Sequence, residues 1–407
     1  MEGIRHILKD FKLRASYGNL GNQSVSGNFP YVPSYSIDRN QGYLINNERG
    51  VTTTAPSLVS GDLTWEKVTQ WNFGFDYGFL QDRLMGSFDI YARYTIGMLT
   101  SSEPLPGVLG TGVPNTNAAD LKTKGWEFTI GWKDHIKPVG LNYNVSFVLG
   151  DAVAEITKFA NPTGSLGSRY VGQRIGEIWG YESNGLFKSY EEIAEAPSQA
   201  RLYNGTWHPG DVRYVDRNGD NEISTGANTL EDPGDRYIIG NSQPRYEYGI
   251  TLGAAWKGID LTIFMQGIGK RDWWVDDRYW GVNGRWAVPA RDIDSYWTEE
   301  NPDGFMPKLY QQSRGNRQTC TRYLQNAAYL RFKQLSIGYS LPSKWTKSIS
   351  LEKVRLYFTG QNLFTYTKLS KLYDPEIVGS AGSASSVVSN LTYPISRTIS
   401  FGLNVTF

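Results

Sequence analysis

One segment of the chain carries oxygen-bearing side chains at the spacing of a calcium-binding loop. They stand at positions 1, 3, 5 and 7 of the loop and are Asp216, Asn218, Asp220 and Glu222, the last of which would use its backbone carbonyl. Position 6, usually glycine, is Asn221, which tolerates a left-handed conformation better than most residues. Position 12 is Ala227 and not an acid. The segment therefore predicts either a Ca²⁺ site or a solvated Asn-Gly turn.

A second candidate site is a group of aromatic residues in one long connection. Its members are Trp273, Trp274, Tyr279, Trp280, Trp286 and Trp297. Indole faces stack on sugar rings, and the nearby Asp276, Asp277 and Arg278 could bond hydroxyl groups. The alternative is that these aromatic residues hold a large loop together or pack against a partner protein. Trp207 and His208, in the preceding connection, raise the same choice.

Residues typical of catalysis are not arranged for it. The chain has no Ser–His–Asp pattern, no HExxH motif and no carboxylate pair that stands out as a glycosidase dyad. The three histidines are scattered, which makes a zinc site improbable, and the lone Cys320 can form no intrachain disulfide. The net charge of +1 gives no attraction to nucleic acid. We therefore expect a protein that is not an enzyme and does not bind nucleic acid.

The elements that must position these loops are two-faced strands, and the C-terminal segment is the clearest of them. From Ile395 to Phe407 every odd position except Arg397 is apolar, and every even position is Ser, Thr, Gly or Asn. Because successive side chains of a strand point to opposite faces, this strand has one apolar and one small polar face. That combination suits a strand between lipid and an aqueous lumen.

The same alternation occurs in nine further segments. They are 11–18, 71–79, 87–94, 126–133, 141–149, 246–256, 259–265, 335–341 and 354–358. Each is a weak signal alone, but together they predict an all-β fold of about ten antiparallel strands. Aromatic residues make up 14% of the chain, and several tryptophans fall near strand ends, as in the girdles of membrane barrels. A sheet packed on a soluble core would also bury tryptophan.

Short and long connections alternate between these segments. The short ones are 80–83, 134–140, 257–258 and 342–352, the last with room for one helical turn. The others run from about 20 residues to nearly a hundred, between Asp151 and Gln243. Membrane barrels have short periplasmic turns and long extracellular loops. The alternation therefore predicts part of a large transmembrane β-barrel, and a soluble carbohydrate-binding β-domain is a distant alternative.

Seven segments resemble the C-terminal barrel of SusC/RagA-type TonB-dependent transporters. They are 12–22 (KLRASYGNLGN), 65–75 (WEKVTQWNFGF), 117–128 (NAADLKTKGWEF), 210–220 (GDVRYVDRNGD), 329–342 (YLRFKQLSIGYSLP), 360–364 (GQNLF) and 373–376 (YDPE). The closing strand matches as well, so the resemblance covers nearly the whole chain in the right order. In the family, a loop like 216–222 ends with Asp-Arg and then Ile-Gly. This makes Asp235 the implied last metal ligand, displaced by an insertion between Thr225 and Gly234.

The resemblance implies a multi-pass barrel of about 22 strands in the bacterial outer membrane, in contact with its lipid. It also implies an N-terminal plug driven by the TonB–ExbB–ExbD complex, and a SusD-like lipoprotein that covers the barrel. The chain supplies about ten strands and lacks a recognisable plug, TonB box or signal peptide. We therefore expect residues 1–407 to be the C-terminal part of such a barrel, unable to close by itself.

Two functions follow as hypotheses. The first is import of oligosaccharides or peptides as part of a SusC-like transporter working with a SusD-like lipoprotein. The second is a surface-binding or adhesin-type outer-membrane barrel that uses no energy. A plug and a TonB box in the sequence before Met1 would favour the first.

Overall fold

The structure is a computed structural model, and a defined set of residues is described from it. These are residues 8–23, 32–33, 35–38, 42–53, 56, 58–61, 63–101, 106, 108, 110, 112–274, 290–310, 315–348, 350–378 and 394–407.

Ten antiparallel strands form one sheet in which each strand pairs with its neighbour along the chain. They are β1 (Leu8–Asn22), β2 (Glu66–Phe79), β3 (Leu84–Ser101), β4 (Asn115–Ile136), β5 (Leu141–Lys158), β6 (Arg245–Trp256), β7 (Ile259–Lys270), β8 (Tyr329–Ser340), β9 (Lys353–Gln361) and β10 (Thr398–Thr406). A short strand, Thr365–Thr367, also pairs with β8. The ten predicted strands and the all-β fold are confirmed. Within the described residues, β1 and β10 form the two edges of the sheet.

The pairing register gathers the apolar side chains on one face. Phe73 lies opposite Ile90, and Ile90 lies opposite Trp126 on the next strand. At the other edge Phe358 lies opposite Phe401, with ring centroids 5.2 Å apart. Phe401 is nevertheless 81% exposed, so this face does not pack on a protein core. Among the described residues, no helix is long and apolar enough to cross a membrane.

The short connections lie at one end of the sheet, as predicted. They are 80–83, 137–140, 257–258 and 341–352, and the last contains the helix Ser343–Lys347. In 257–258 both residues have positive φ, 46° at Lys257 and 86° at Gly258. This is the twist that a two-residue hairpin needs to match the twist of its flanking strands.

The long connections lie at the other end and carry their own secondary structure. Five small hairpin or strand pairs occur there: Ile37–Asp38 with Thr52–Thr53, Leu44–Ile45 with Glu48–Arg49, Glu177–Gly180 with Tyr237–Asn241, Ser183–Leu186 with Val212–Tyr214, and Asp272–Trp273 with Gln325–Asn326. The long connections also contain the helix Tyr190–Glu195 and the 3₁₀ helix Ala290–Ser295. The connection 102–114 is shorter than predicted because β3 and β4 extend past their alternating stretches.

Two strand glycines make room for tyrosine rings from the paired strand. A Cβ on Gly402 would overlap the ring of Tyr357, its register partner, and a Cβ on Gly267 would overlap Tyr248. The Tyr248 hydroxyl passes over Gly267 and donates to the backbone oxygen of Tyr329 on the following strand, at 3.2 Å. Gly267 therefore allows the Tyr248 side chain to tie three strands together.

Candidate functional site

Two of the long connections, 159–244 and 271–328, fold around a shared buried core. Its members are Tyr181, Phe187, Trp207, Val212, Tyr214, Ile223, Tyr296, Met306, Cys320 and Tyr323. None of these side chains is more than 9% exposed. Burial of this kind is typical of a small soluble domain, in which each large side chain contacts many others. The loops on this side of the sheet thus form a folded body.

Hydrogen bonds join the two connections directly. The Tyr181 N–H donates to the Thr319 oxygen at 2.8 Å, and the Thr321 N–H donates back to the Tyr181 oxygen at 3.0 Å. Asn316 is buried between the loops: its side-chain oxygen accepts from the Val212 N–H at 2.9 Å, and its amide donates to Asp211 at 2.8 Å. Because these polar groups are buried and satisfied, the two loops hold one defined arrangement.

Arg271 connects this body to the last long connection. Its Nε donates to the Ser242 oxygen at 3.0 Å, and its Nη2 donates to the Val378 oxygen at 2.7 Å. Next to it, Trp273 packs with Ala327, Leu369 and Val378 in a second buried cluster. Three long connections therefore meet where β7 ends. We call residues 159–244, 271–328 and 362–378 the loop assembly.

A buried ion network fixes the loop assembly to the sheet. The guanidinium of Arg331 on β8 donates to Asp374 at 2.6 Å, to Glu376 at 2.7 Å and to the Thr365 hydroxyl at 2.7 Å. Lys333 donates to Glu376 at 2.8 Å, and the Gln266 amide donates to it at 3.2 Å. The Arg331 side chain is only 4% exposed, and every charge in the network has a partner of opposite sign. Removing one partner from a buried ion pair of this kind strongly destabilises a protein, because the other charge is left buried and unpaired.

This network was not predicted from the sequence. Its four charged residues belong to the segments 329–342 and 373–376, which carried the family resemblance, but their pairing was not predicted. The signal that could have found it is the placement of Arg331 and Lys333 on a strand with no other charged residue, together with two acids in YDPE.

Further ion pairs cross the polar face of the sheet. Arg14 on β1 reaches Asp76 on β2 at 2.9 Å and Asp89 on β3 at 2.7 Å. Arg355 on β9 reaches Asp260 on β7 at 2.5 Å, passing over β8 at a glycine, Gly338, where a Cβ would collide with the guanidinium. The face that was predicted to line an aqueous lumen is therefore polar and bridged by charges.

Three of the six residues of the predicted aromatic site are described by the structure, and all three pack within the loop assembly. Trp273 is 4% exposed and Trp297 is 8% exposed, and Trp274 packs against the loop core. At these positions the geometry favours the packing alternative, since a buried indole offers no face to a sugar. Tyr279, Trp280 and Trp286 lie outside the described residues. A sugar-binding role for the group stays a prediction.

Of the two residues that raised the same choice between sugar contact and packing, Trp207 lies in the buried loop core, and the half-buried His208 pairs with the exposed Tyr190, which was not predicted as a site residue. The Tyr190 hydroxyl lies 3.0 Å from Nδ1 of His208, and Tyr190 is 58% exposed. The His208 ring lies 6.5 Å from the ring of Tyr310. Exposed rings that carry hydrogen-bonding groups suit contact with a polar organic ligand.

The predicted metal loop has the predicted backbone turn. Asn221 has φ +65°, as its place at position 6 requires. The Asp216 carboxylate, however, accepts the N–H groups of Gly219 and Asn221, at 2.7 and 2.9 Å. Asp220 accepts the N–H of Glu222 at 2.8 Å and the Asn218 amide at 2.9 Å.

The implied last ligand lies beside this loop. Asp235 is 0% exposed, and its two oxygens accept the N–H groups of Arg217 and Ser224, each at 2.8 Å. Glu222 pairs with Arg201 at 3.2 Å. In the described part of the chain, no three His, Cys, Asp or Glu side chains come together as a metal site. The residues fit a hydrogen-bonded turn, and calcium binding stays a prediction.

Two buried acids of the loop core have shifted pKa values. Burial raises the pKa of the Cys320 thiol to about 11 and that of the Tyr181 phenol to about 12. Burial in an apolar site disfavours the thiolate and the phenolate. Cys320 is therefore a structural residue, since a reactive cysteine needs an accessible thiolate at neutral pH.

The sheet and its connections define an outer-membrane β-barrel wall. A comparison with protein families matches residues 3–257 to the family described as TonB dependent receptor-like, beta-barrel. The chain belongs to this family, and its place is the bacterial outer membrane. Within the family it is similar to the SusC and RagA-like members.

Individual relatives agree over nearly the whole chain. TonB-dependent receptor P3 of Formosa agariphila is 27% identical over 99% of this chain and 40% of its own length. TonB-dependent receptor SusC of Bacteroides thetaiotaomicron is 26% identical over 99% of this chain and 38% of its own length. The chain thus spans about 40% of the length of the relatives it matches.

Solved structures match as well. The RagAB peptide importer in its open-open state has a TM-score of 0.73 and 25% identity, over 99% of this chain and 40% of that one. The resemblance to SusC/RagA-type barrels is confirmed. The relatives are described as receptors or importers, and none of these descriptions names an enzyme.

Proposed function

We propose that this chain forms barrel wall and extracellular loops of a SusC/RagA-like importer. The transporter would take up oligosaccharides or peptides across the outer membrane. TonB–ExbB–ExbD would supply the energy through the plug domain of such a transporter. A SusD-like lipoprotein would cover the loop assembly from outside.

The observation that carries this proposal is the likeness to the RagAB peptide importer, which extends over 99% of the chain and includes the loops. A simple adhesin or pore would not need a large folded body anchored to the wall by a buried ion network. The loop assembly is instead suited to hold a fixed surface for ligand and lid.

The pair formed by the exposed Tyr190 and the half-buried His208 is the part of that surface with which we expect ligand contact to begin. It combines a ring face with hydrogen-bonding groups, and either an oligosaccharide or a peptide would match this chemistry. The buried Trp273 and Trp297 would act by holding the loops in place.

Uptake in the native bacterium tests the proposal. A strain lacking the protein should fail to accumulate one labelled oligosaccharide or peptide from a panel, and the wild-type gene should restore uptake. Collapse of the proton gradient should stop accumulation but leave surface binding. Binding that never leads to accumulation in the wild type would favour the adhesin-type alternative and overturn import.

A further inference from the structure

Arg271 is a buried arginine whose charge no described carboxylate neutralises. Two arginines are buried in the described part of the chain, and the other one, Arg331, is bonded to Asp374 and Glu376. Arg271 is 5% exposed, and no described acid lies within 4.0 Å of its guanidinium. Buried charges in proteins are paired as a rule, because an unpaired one loses its hydration without a compensating charge. A residue of this kind is suited to bind an anionic ligand.

The guanidinium of Arg271 is held in place by neutral acceptors. Its Nε donates to the Ser242 oxygen at 3.0 Å, and its Nη2 donates to the Val378 oxygen at 2.7 Å. These two carbonyl groups belong to different connections, and together they fix the plane of the guanidinium. The third nitrogen, Nη1, makes no hydrogen bond to a described residue and is not fully enclosed by them. A carboxylate can therefore bind Nη1 without displacing either carbonyl group.

Arg271 lies where the loop assembly meets the polar face of the sheet. It follows the last residue of β7 directly. Burial lowers the pKa of Arg271, whereas Tyr329 and Glu247 raise it, so both groups are close enough to act on its charge. Glu247 is on the polar face, because the register joins it through β5 to Glu127 and Asp89. Arg271 therefore lies at the mouth of the predicted lumen.

The small exposed fraction of Arg271 restricts which ligand can reach it. A chain end can bring a carboxylate to such a residue, whereas an internal group carries the rest of the chain on both sides. The α-carboxylate of a peptide is always at a chain end. The carboxylates of an acidic oligosaccharide mostly lie along the chain, between neighbouring sugar rings. The burial of Arg271 therefore favours a peptide over an acidic oligosaccharide.

From these observations we propose that Arg271 binds the C-terminal carboxylate of an imported peptide. The inference rests on the proposed import function and narrows its substrate to peptides with a free C terminus. The peptide would lie between the loop assembly and the polar face of the sheet, with its last residue at Arg271. A bond between guanidinium and carboxylate is strong where water is excluded, so the site would select free acids over amides.

Competition between paired peptides tests the proposal on the transporter purified from native outer membranes. The probe is a pool of short random peptides, made once with a free C terminus and once as the C-terminal amide, and bound peptides are identified by mass spectrometry. The parent should bind the free acids about ten- to hundredfold more tightly, the contribution expected of a hydrogen bond to a charged group. Arg271→Gln keeps side-chain donors but removes the charge, and it should bind both pools equally.

Arg322→Gln is the matched control. Arg322 also belongs to the loop assembly, and it also donates to two backbone oxygens, those of Gly304 and Phe305. It is less buried than Arg271, and its variant should keep the preference of the parent. Limited proteolysis shows whether each variant keeps its loops folded. If Arg271→Gln loses this protection, Arg271→Lys carries the test, because it keeps the charge and should keep part of the preference.

Three outcomes would overturn the proposal. Equal binding of acids and amides by the parent would remove the carboxylate from recognition. An unchanged preference in Arg271→Gln, or its complete loss in a folded Arg271→Lys variant, would assign recognition to other groups. Binding of oligogalacturonate but not of its methyl ester, without any binding of peptides, would make the ligand an acidic oligosaccharide.

A failure of import is seen separately from a failure of recognition. If energised cells accumulate neither pool while the purified transporter still prefers free acids through Arg271, the import function is wrong and the recognition of the C terminus stands. If cells accumulate both pools equally, import stands and the role of Arg271 is wrong.

Discussion

The wall of the sheet and the loop assembly use aromatic side chains in opposite ways. Phe401, on the wall, is 81% exposed, whereas Phe187, in the loop assembly, is 1% exposed. The wall is ordered by its ladder of backbone hydrogen bonds and presents its apolar groups to lipid. The loop assembly faces water, so it must bury its apolar groups within itself. The same residue type is therefore a surface residue in one region and a core residue in the other.

The largest difference is expected when the same truncation is made in both regions. Phe187→Ala opens a cavity in the loop core and should cost about 3–5 kcal/mol. Phe401→Ala leaves no cavity, because lipid fills the space, and should have a much smaller effect. Limited proteolysis of the loops and heat-modifiability of the barrel measure the two regions separately. Equal loss of loop protection in both variants would contradict the division into two regions.

The junction between the regions should be nearly as sensitive. Arg331→Met leaves the buried Asp374 without a cationic partner, while Glu376 keeps Lys333, and should cost about 3–5 kcal/mol, seen as release of the loops from the wall. Arg93→Met, on an exposed arginine of the polar face, is the matched control. Adding Asp374→Asn to Arg331→Met should recover part of the loss, because it removes the charge that was left unpaired. No recovery, measured by protease protection, would mean that the charges are not the cause.

On the wall, the direction of the side chain should decide the cost of a charge. Phe401→Arg places a charge in lipid and should weaken assembly by about 2–4 kcal/mol near the midplane. Ser400→Arg, on the neighbouring residue, points to the polar face and should be milder. Heat-modifiability of the two variants gives the comparison. Equal damage would indicate that both faces are buried in protein.

High pH should destabilise the loop assembly and leave the wall intact. Cys320 has a pKa of about 11 when folded and an ordinary value of 9.0, so the unfolded loops lose this proton first as pH rises. The contribution of Cys320 to stability is therefore unchanged below pH 9 and falls by about 2–3 kcal/mol between pH 9 and pH 11, and Tyr181, whose pKa is raised from 10.0 to about 12, adds to the loss above pH 10. Tryptophan fluorescence during urea unfolding measures this. Cys320→Ala should remove that part of the slope, and an unchanged slope would assign it to other groups.

The smallest effect is expected at the predicted calcium loop. Asp216→Ala removes the acceptor of two backbone N–H groups and should cost about 1–2 kcal/mol locally. Glu231→Ala, on an exposed neighbour, is the control. If calcium binds, it should protect the segment up to Asp235 from proteolysis in the wild type and not in the Asp216 variant. Identical digestion with calcium and with a chelator would mean that the segment is a hydrogen-bonded turn and does not bind calcium.

Much of the wall could be predicted from the sequence because its information is local. Alternation in segments such as 71–79 and 126–133 reflects two different solvents on the two faces of each strand, and that pattern is visible without knowing the partner strand. The extra length of β3 and β4 was not predicted, because beyond the membrane both faces meet water and the alternation fades. The SusC/RagA resemblance was likewise carried by short local motifs.

The candidate site could be predicted only in part. The turn at Asn221 followed from residue types, and its positive φ is observed. The use of its carboxylates by backbone N–H groups depends on folded geometry. Trp273 and Trp297 were recognised as notable, but their burial depends on Leu369 and Gly210, which lie far from them in sequence.

The sequence by itself determined which residues form strands, which face of each strand meets lipid, and which ends carry the long loops. Each of these follows from a period of two and from turn length, both of which are local. The tertiary structure alone decided that two long loops share a core, that a third loop joins them where β7 ends, and that Arg331 meets Asp374 and Glu376. The physical reason is that these contacts join residues between about 40 and 150 positions apart, and only the strand register and the packing of the loops bring them together.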